Sequence, residues 1–258
     1  MKKDEGRIPH PESQIPALSR LRETWHALGE DDPLWAILSR PDKRGQRWDA
    51  DEFFAAGEAE IAAVDARCAA LGLARERRCA LDFGSGVGRL TRALAGRFAE
   101  VVGVDISPSM IAQARALNAH IPNVRFVENA TSRLAFLGDA SIDLVYSVIT
   151  LHHIPADLQR AYIGEFLRVL APGGAAVFQI ASSYARDWRG FGYRLLPNRV
   201  LAPLRRRLHE SRTAAEMHIL EESAVAALAA AAGKRIVQAV ATDSAGQGFR
   251  GVLFVVAG

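Results

Sequence analysis

The chain has 258 residues, of which 32 are Lys or Arg and 29 are Asp or Glu, so its formal net charge is +3. Hydrophobic residues make up 49% of it, which excludes intrinsic disorder as the main state and predicts a soluble protein with a sizeable core. At this length we expect one large domain, or one domain with a small appendage. The mixed charge argues against a dedicated nucleic-acid binder.

Cysteine usage and the first residues bear on location. Cys68 and Cys79 allow at most one disulfide and cannot form a metal cluster by themselves, which favours a reducing compartment. Residues 1–16 combine charge with prolines instead of an apolar signal core, and no stretch is long enough to span a bilayer. We therefore expect a cytoplasmic protein without a membrane span.

Residues 1–77 are predicted to form a helical segment ahead of the main domain. Apolar residues recur at helical spacing between Leu18 and Leu28, and a second short helix would carry Trp35. Residues 47–73 then predict a short aromatic helix, followed by a longer amphipathic one. The apolar face of that longer helix would contain Ile61, Val64, Cys68 and Leu71.

Three aromatic residues in this segment admit two interpretations. Trp48 could fold over a ligand as part of a lid, or it could pack inside the helical segment, and the sequence leaves both open. For Phe53 and Phe54 we favour packing.

From Cys79 onward, short apolar runs alternate with helical stretches. The runs with strand character are CALDF, VVGVD, VRFVEN, IDLVYS and AAVFQIA. Four βα repeats in succession predict a parallel sheet covered by helices on both faces. Residues 182–220 then form an insertion rich in Arg and aromatic residues, before the helix EESAVAALAAAAG and the strand candidates RIVQAVAT and GVLFVVA.

The strongest local signal is the glycine loop ALDFGSGVGRL. An apolar strand ends at Asp82 and runs into Gly84, Gly86 and Gly88 directly before a helical stretch. Glycines there allow a sharp turn and a close backbone approach to a ligand, although a tight turn without a ligand is the simpler alternative. The dinucleotide fingerprint G-x-G-x-x-G fails, because Arg89 stands where its third glycine is required.

A second acid closes the next predicted strand, where Asp105 ends VVGVD. A carboxylate at this position can accept hydrogen bonds from both hydroxyls of a ribose. Asp82 suits a cationic group better than a pyrophosphate. Together the two acids predict a ligand that carries a ribose and a positive charge but no phosphate.

Over residues 78–180 these motifs resemble those of class I S-adenosylmethionine-dependent methyltransferases. ALDFGSGVG resembles the first motif, VVGVDISPSMIAQAR the second strand and its helix, SIDLVYSVITLHHI the fourth strand and its loop, and LRVLAPGGAAVF the turn before the fifth strand. The resemblance implies an α/β, Rossmann-like, doubly wound sheet of seven strands, mostly parallel with the last antiparallel. Residues 1–77 would be a helical lid, and residues 78–258 the cofactor-binding core.

The resemblance also implies how S-adenosylmethionine is held. Asp105 would bind the ribose, Ile106 would pack on the adenine, and Asn129 would accept from the adenine amino group in place of the family's usual Asp. The full set of implied contacts, with Trp48 added from the lid, is Asp82, Gly84, Gly86, Gly88, Asp105, Ile106, Asn129, Ala130, Ser147 and Trp48.

Two histidines, His152 and His153, follow the fourth strand at the sheet edge where ligands bind in open α/β folds. Methyl transfer needs an acceptor aligned behind the methyl carbon, and a hydroxyl or protonated amine acceptor also needs a base. Either histidine could be that base, with His152 slightly preferred, or one could simply shape the loop through a backbone hydrogen bond. Neither is expected to bind a metal, because no Cys or acid cluster is near.

The insertion interleaves arginines such as Arg186 and Arg189 with aromatic residues such as Tyr184 and Trp188. This pattern fits an anionic or aromatic acceptor held by Arg and stacked on a ring, and it fits a solvated basic helix equally well.

We therefore expect an enzyme that methylates an oxygen or nitrogen atom of a small molecule and releases S-adenosylhomocysteine. A nucleic-acid methyltransferase is an alternative, disfavoured because SVIT stands in place of an Asn/Asp-Pro-Pro-aromatic motif. The second alternative is a non-catalytic subunit that binds the cofactor. The acceptor and the oligomeric state are left open.

Overall fold

A computed structural model describes residues 16–187, 215–243, 245–246 and 248–258 of the protein. Its helices are α1 (Pro16–Asp31), α2 (Pro33–Ile37), α3 (Ala50–Ala70), α4 (Arg89–Ala95), α5 (Pro108–Leu117), α6 (Ala156–Val169) and α7 (Glu222–Ala231). Its strands are β1 (Cys79–Phe83), β2 (Glu100–Asp105), β3 (Val124–Glu128), β4 (Ile142–Ser147), β5 (Leu170–Tyr184), β6 (Arg235–Thr242) and β7 (Phe249–Ala257).

Within the described residues, seven strands form one sheet in the order β3-β2-β1-β4-β5-β7-β6. The pairs among β1 to β5 are parallel, whereas β7 runs antiparallel to both β5 and β6. This confirms the predicted Rossmann-like sheet with its last strand antiparallel. The strand order reverses between β1 and β4, and in open α/β sheets a crevice forms there at the carboxyl ends.

Helices cover both faces of the sheet, as the βα repeats predicted. One face packs against α3 and α4 through residues such as Ile61 and Leu94. The other packs against α1, α6 and α7 through residues such as Leu18, Phe166 and Val225. The two apolar layers fix the sheet rigidly, so the loops at its carboxyl edge have defined positions.

The helical segment before β1 differs from the prediction in one element. Residues 50–70 form a single helix, not a short and a long one. Its N-terminus is capped by Asp49, whose carboxylate accepts from the Glu52 N–H at 2.9 Å. Gly57 lets the helix pass close to α4, because a Cβ there would lie 2.6 Å from the Arg89 carbonyl oxygen. Leu71 follows the helix and is 37% exposed, so it is not part of the buried face.

The fifth strand also begins earlier than expected. Ile142 pairs with Leu170, but Leu144 pairs with Ala175, so the turn predicted at APGG is a bulge within the strand. Gly173 has a φ of 76° at this bulge. The predicted insertion lies mostly outside the described residues, because only 182–187 and 215–220 belong to them. No helix in the described ranges combines the length and the apolar character needed to cross a membrane.

Candidate cofactor site

A cavity opens at the carboxyl edge of β1, β2 and β4, and its empty space, part of which is open solvent, amounts to about 930 Å³. The loops after the strands supply the floor and walls. Their lining residues are Phe83, Gly84, Ser85, Gly86, Asp105, Ile106, Asn129, Val148, Ile149 and Thr150. Five predicted cofactor contacts, Gly84, Gly86, Asp105, Ile106 and Asn129, are thereby brought to one cavity.

Helices α1 and α2 supply much of the remaining wall. Their lining residues are Leu18, Leu21, Trp25, Ala36 and Ile37. The Ser107 hydroxyl donates to the Trp25 carbonyl at 3.1 Å, and Arg22 pairs with Glu128 at 2.9 Å. These contacts hold α1 against the ends of β2 and β3.

The glycine loop needs glycine at the two positions that line the cavity. Gly84 and Gly86 have φ values of 80° and 53°. A Cβ on Gly84 would lie 2.1 Å from the Thr150 hydroxyl oxygen, and one on Gly86 would lie 2.5 Å from Cδ1 of Ile37. Gly88 also has a positive φ, but it begins α4 behind the cavity, where a Cβ would meet Phe126 at 2.7 Å.

Asp105 has a fixed carboxylate at the end of β2. Its Oδ1 accepts from the Ser107 N–H at 2.8 Å, and its Oδ2 accepts from the Gly86 N–H at 2.9 Å. Burial raises the pKa of this carboxyl, and the backbone donors act in the opposite direction. A carboxylate held in one orientation is suited to accept hydrogen bonds from ribose hydroxyls.

Asp82 lies behind the cavity wall and is 1% exposed. Its Oδ2 accepts from the Thr91 hydroxyl at 2.6 Å. Burial raises the pKa of Asp82 to about 7, although Thr91 and Arg89 act to lower it and Glu60 acts to raise it. The structure therefore places this carboxyl beneath the glycine loop rather than in the lining.

Four more predicted contacts lie outside the lining: Gly88, Ala130, Ser147 and Trp48. Ser147 donates its hydroxyl hydrogen to the Phe83 carbonyl at 2.9 Å. Trp48 packs edge-on against Phe53 at 5.5 Å and donates its indole N–H to the Leu38 carbonyl at 3.1 Å. Of the two interpretations of Trp48, these contacts are those of a packing residue.

Neither predicted histidine lines the cavity. His152 is 2% exposed, and burial, together with the neighbouring His153, holds its pKa well below the usual value. The His153 ring packs edge-on against Trp25, which does line the cavity, at 5.2 Å between ring centroids. Its Nδ1 lies 2.9 Å from the Glu216 carbonyl oxygen.

The sequence did not predict several polar side chains of the lining, among them Arg89 and Ser85. Arg89 pairs with Glu60 of α3 at 2.8 Å, and the Tyr146 hydroxyl donates to the same carboxylate at 2.9 Å. The Ser85 hydroxyl oxygen is buried and has no hydrogen-bond partner among the residues that the structure describes. The position of Ser85 between Gly84 and Gly86 was the one sequence feature that could have indicated its place in the cavity lining.

These features fit S-adenosylmethionine. The glycine loop brings its backbone to the cavity, and Asp105 presents a carboxylate for a ribose. The Ser85 hydroxyl offers a donor and an acceptor that no described residue uses. Among the described residues, no cluster of three or more His, Cys, Asp or Glu side chains could hold a metal ion.

Comparison with known sequences identifies relatives. A family model described as a methyltransferase domain matches residues 80–174. A demethylmenaquinone methyltransferase of Thermus thermophilus is 36% identical over 138 residues, which cover 52% of this chain and 61% of the relative. A ubiquinone biosynthesis O-methyltransferase of Paracidovorax citrulli is 32% identical over 111 residues, covering 42% and 46%. The chain thus spans about half the length of these relatives.

Comparison with solved structures extends the likeness of fold. Magnesium protoporphyrin IX methyltransferase of Synechocystis, crystallised with S-adenosylhomocysteine, aligns with a TM-score of 0.60 and 20% identity. The alignment covers 93% of this chain and 98% of that one. Residues 80–174 thus form a methyltransferase domain, and the glycine loop, Asp105 and the strand order are similar to those of class I S-adenosylmethionine-dependent methyltransferases.

Proposed function

We propose that this protein transfers a methyl group from S-adenosylmethionine to an oxygen or nitrogen atom of a small molecule and releases S-adenosylhomocysteine. The observation that carries the proposal is the convergence of Gly84, Gly86 and Asp105 on one cavity. The bound cofactor supplies a methyl group activated by a sulfonium. The chain's own residues bind it, orient it and exclude water.

The orienting groups come from separate strands. Asp105, locked by the Ser107 and Gly86 amides, fixes the ribose, while Ile106 and Asn129 are proposed to receive the adenine. Displacement at a methyl group needs little beyond alignment and a water-poor pocket. The apolar wall of α1 and α2, including Trp25, supports that exclusion and the assignment of the N-terminal helices as a lid.

When the acceptor carries a proton, a base is also required. We assign this role to His153 rather than to His152. The His153 ring contacts Trp25 of the cavity wall, whereas His152 is buried and does not line the cavity. The Nδ1 of His153 faces the Glu216 carbonyl, which favours a proton on that nitrogen.

An acceptor with an apolar or aromatic body suits the cavity. The lining contributed by segments other than the glycine loop includes the apolar residues Leu21, Trp25, Ile37 and Ile154. Relatives are named for demethylmenaquinone and ubiquinone biosynthesis, and the solved structure for a porphyrin, which supports a small-molecule acceptor. The anionic character proposed for the acceptor depends on Arg186, which is exposed, and on arginines at 189–212, which lie outside the described residues.

The test is formation of S-adenosylhomocysteine from S-adenosylmethionine with a panel of hydroxyl- and amine-bearing aromatic acceptors. We expect turnover with at least one acceptor and its loss in Asp105→Ala. Asp157→Ala, which removes an exposed carboxylate from α6, is the matched control and should retain the rate. Tight cofactor binding without turnover on any acceptor would support the non-catalytic alternative instead.

A further inference from the structure

The turn after β4 holds a β-branched residue in the left-handed region. Ile149 has a φ of 57°. A β-branched side chain is a rare occupant of this region, and such strained residues persist where the surrounding structure holds them. Ile149 and its neighbour Thr150 both line the cavity.

Gln179, in the middle of β5, contacts the turn directly. Its Oε1 accepts from the Ile149 N–H at 3.1 Å, and its Nε2 donates to the Thr242 hydroxyl oxygen at 2.7 Å. Gln179 is 1% exposed, so the amide is fixed between β4, β5 and β6. A Cβ on Gly251 would lie 2.5 Å from the Thr242 hydroxyl oxygen and 3.0 Å from Nε2 of Gln179, so glycine there makes room for this pair.

The shape of the turn matters for the cavity, because its next residue packs on the glycine loop. The Thr150 side chain occupies the space where a Cβ on Gly84 would be. A shift of the turn would therefore move both Ile149 and Thr150 against the loop that is proposed to receive the cofactor. Gln179 itself is not part of the cavity lining.

We propose that Gln179 is a positioning residue, which holds the Ile149 turn from inside the sheet and thereby sets the affinity for the cofactor. This inference rests on the proposed function. Loss of the Gln179 acceptor leaves the Ile149 N–H without that bond and lets the strained turn relax, which changes the wall before any cofactor binds.

The test is a double-mutant cycle read by calorimetric titration with S-adenosylhomocysteine. Gln179→Leu should weaken binding about tenfold or more, whereas the same change in an Ile149→Gly background should cost less than about threefold, because glycine adopts the left-handed conformation without support. Gln238→Leu is the matched control. Its amide lies on β6 and bonds Arg67 at 2.7 Å, so affinity should not change.

Equal losses in both backgrounds, or no loss in either, would overturn the inference. If Gln179→Leu does not fold, Thr242→Val with and without Ile149→Gly replaces it, and the same non-additivity is expected at smaller amplitude. If the wild type does not bind S-adenosylhomocysteine, the proposed function fails. The role of Gln179 is then tested by hydrogen exchange at the Ile149 amide. Exchange there should be faster in Gln179→Leu, relative to the amides of β4, and an unchanged exchange rate would refute that role.

Discussion

Asp82→Asn is expected to change how the stability of the protein depends on pH. The wild-type carboxyl has a pKa of about 7 in the folded protein, against 3.8 as the ordinary value, because it is buried. Below about pH 4 both states hold the proton. Between about pH 4 and 7 the folded protein keeps a proton that the unfolded chain has released, so stability falls as pH rises.

The size of the effect follows from the pKa difference. Roughly three pH units, at about 1.4 kcal/mol each, give a loss on the order of 4 kcal/mol from this group by pH 8. Asparagine cannot titrate, and its amide oxygen can still accept from the Thr91 hydroxyl. The free energy of unfolding of Asp82→Asn, minus that of the wild type, should therefore rise by about this amount between pH 4 and pH 8.

Urea unfolding at each pH measures this difference, and Asp143→Asn is the matched control. Burial opposes ionisation of Asp143, but the Arg78 guanidinium, 2.7 Å away, and backbone donors outweigh it and lower its pKa. Asp143 is thus ionised in both states above about pH 5, and its difference from wild type should be flat from there to pH 8. A flat difference for Asp82→Asn over the same range would refute the reasoning.

Three further outcomes are expected. Gly84→Ala should destabilise the protein by roughly 1–3 kcal/mol more than Gly173→Ala in urea unfolding. Both positions have a positive φ, but only Gly84 lacks space for a Cβ. Equal losses of stability would contradict the packing of Thr150 on the glycine loop. Trp48→Ala should lower the free energy of unfolding by roughly 3–5 kcal/mol, because the ring is buried, yet leave the calorimetric affinity for S-adenosylhomocysteine within about threefold. A large loss of affinity in folded protein would support Trp48 as a cofactor contact. His153→Gln should lower the initial rate about a hundredfold with a proton-bearing acceptor, and His152→Gln much less, whereas equal losses would reject the assignment of the base.

The sequence predicts the floor of the site well, because strand ends in a parallel sheet meet at one edge. Asp105 and Gly84 could be located from the motif and the strand that precedes each of them. The motif does not reveal side-chain direction, which alternates along a strand. Two residues predicted as cofactor contacts therefore lie outside the cavity lining. Asp82 accepts a hydrogen bond from the Thr91 hydroxyl, and Ser147 donates one to the Phe83 carbonyl.

The part of the cavity wall that α1 and α2 form could not be predicted in the same way. Helical spacing identifies the apolar residues of α1, but it does not say where that helix docks. The position of Trp25 depends on the Ser107 hydroxyl, 82 residues away in sequence, and that of Ile37 on its contact with Gly86. The left-handed turn at Ile149 likewise depends on Gln179 from another strand.

Calorimetric titration of the wild type with S-adenosylhomocysteine, beside Asp105→Ala and an NADH control, tests the central claim most directly. We expect binding at one site per chain and no heat from NADH. Affinity should fall at least about tenfold in Asp105→Ala, since its carboxylate is proposed to hold the ribose. Absence of binding by folded wild type, or equal affinity in Asp105→Ala, would contradict the assignment of this cavity to the cofactor.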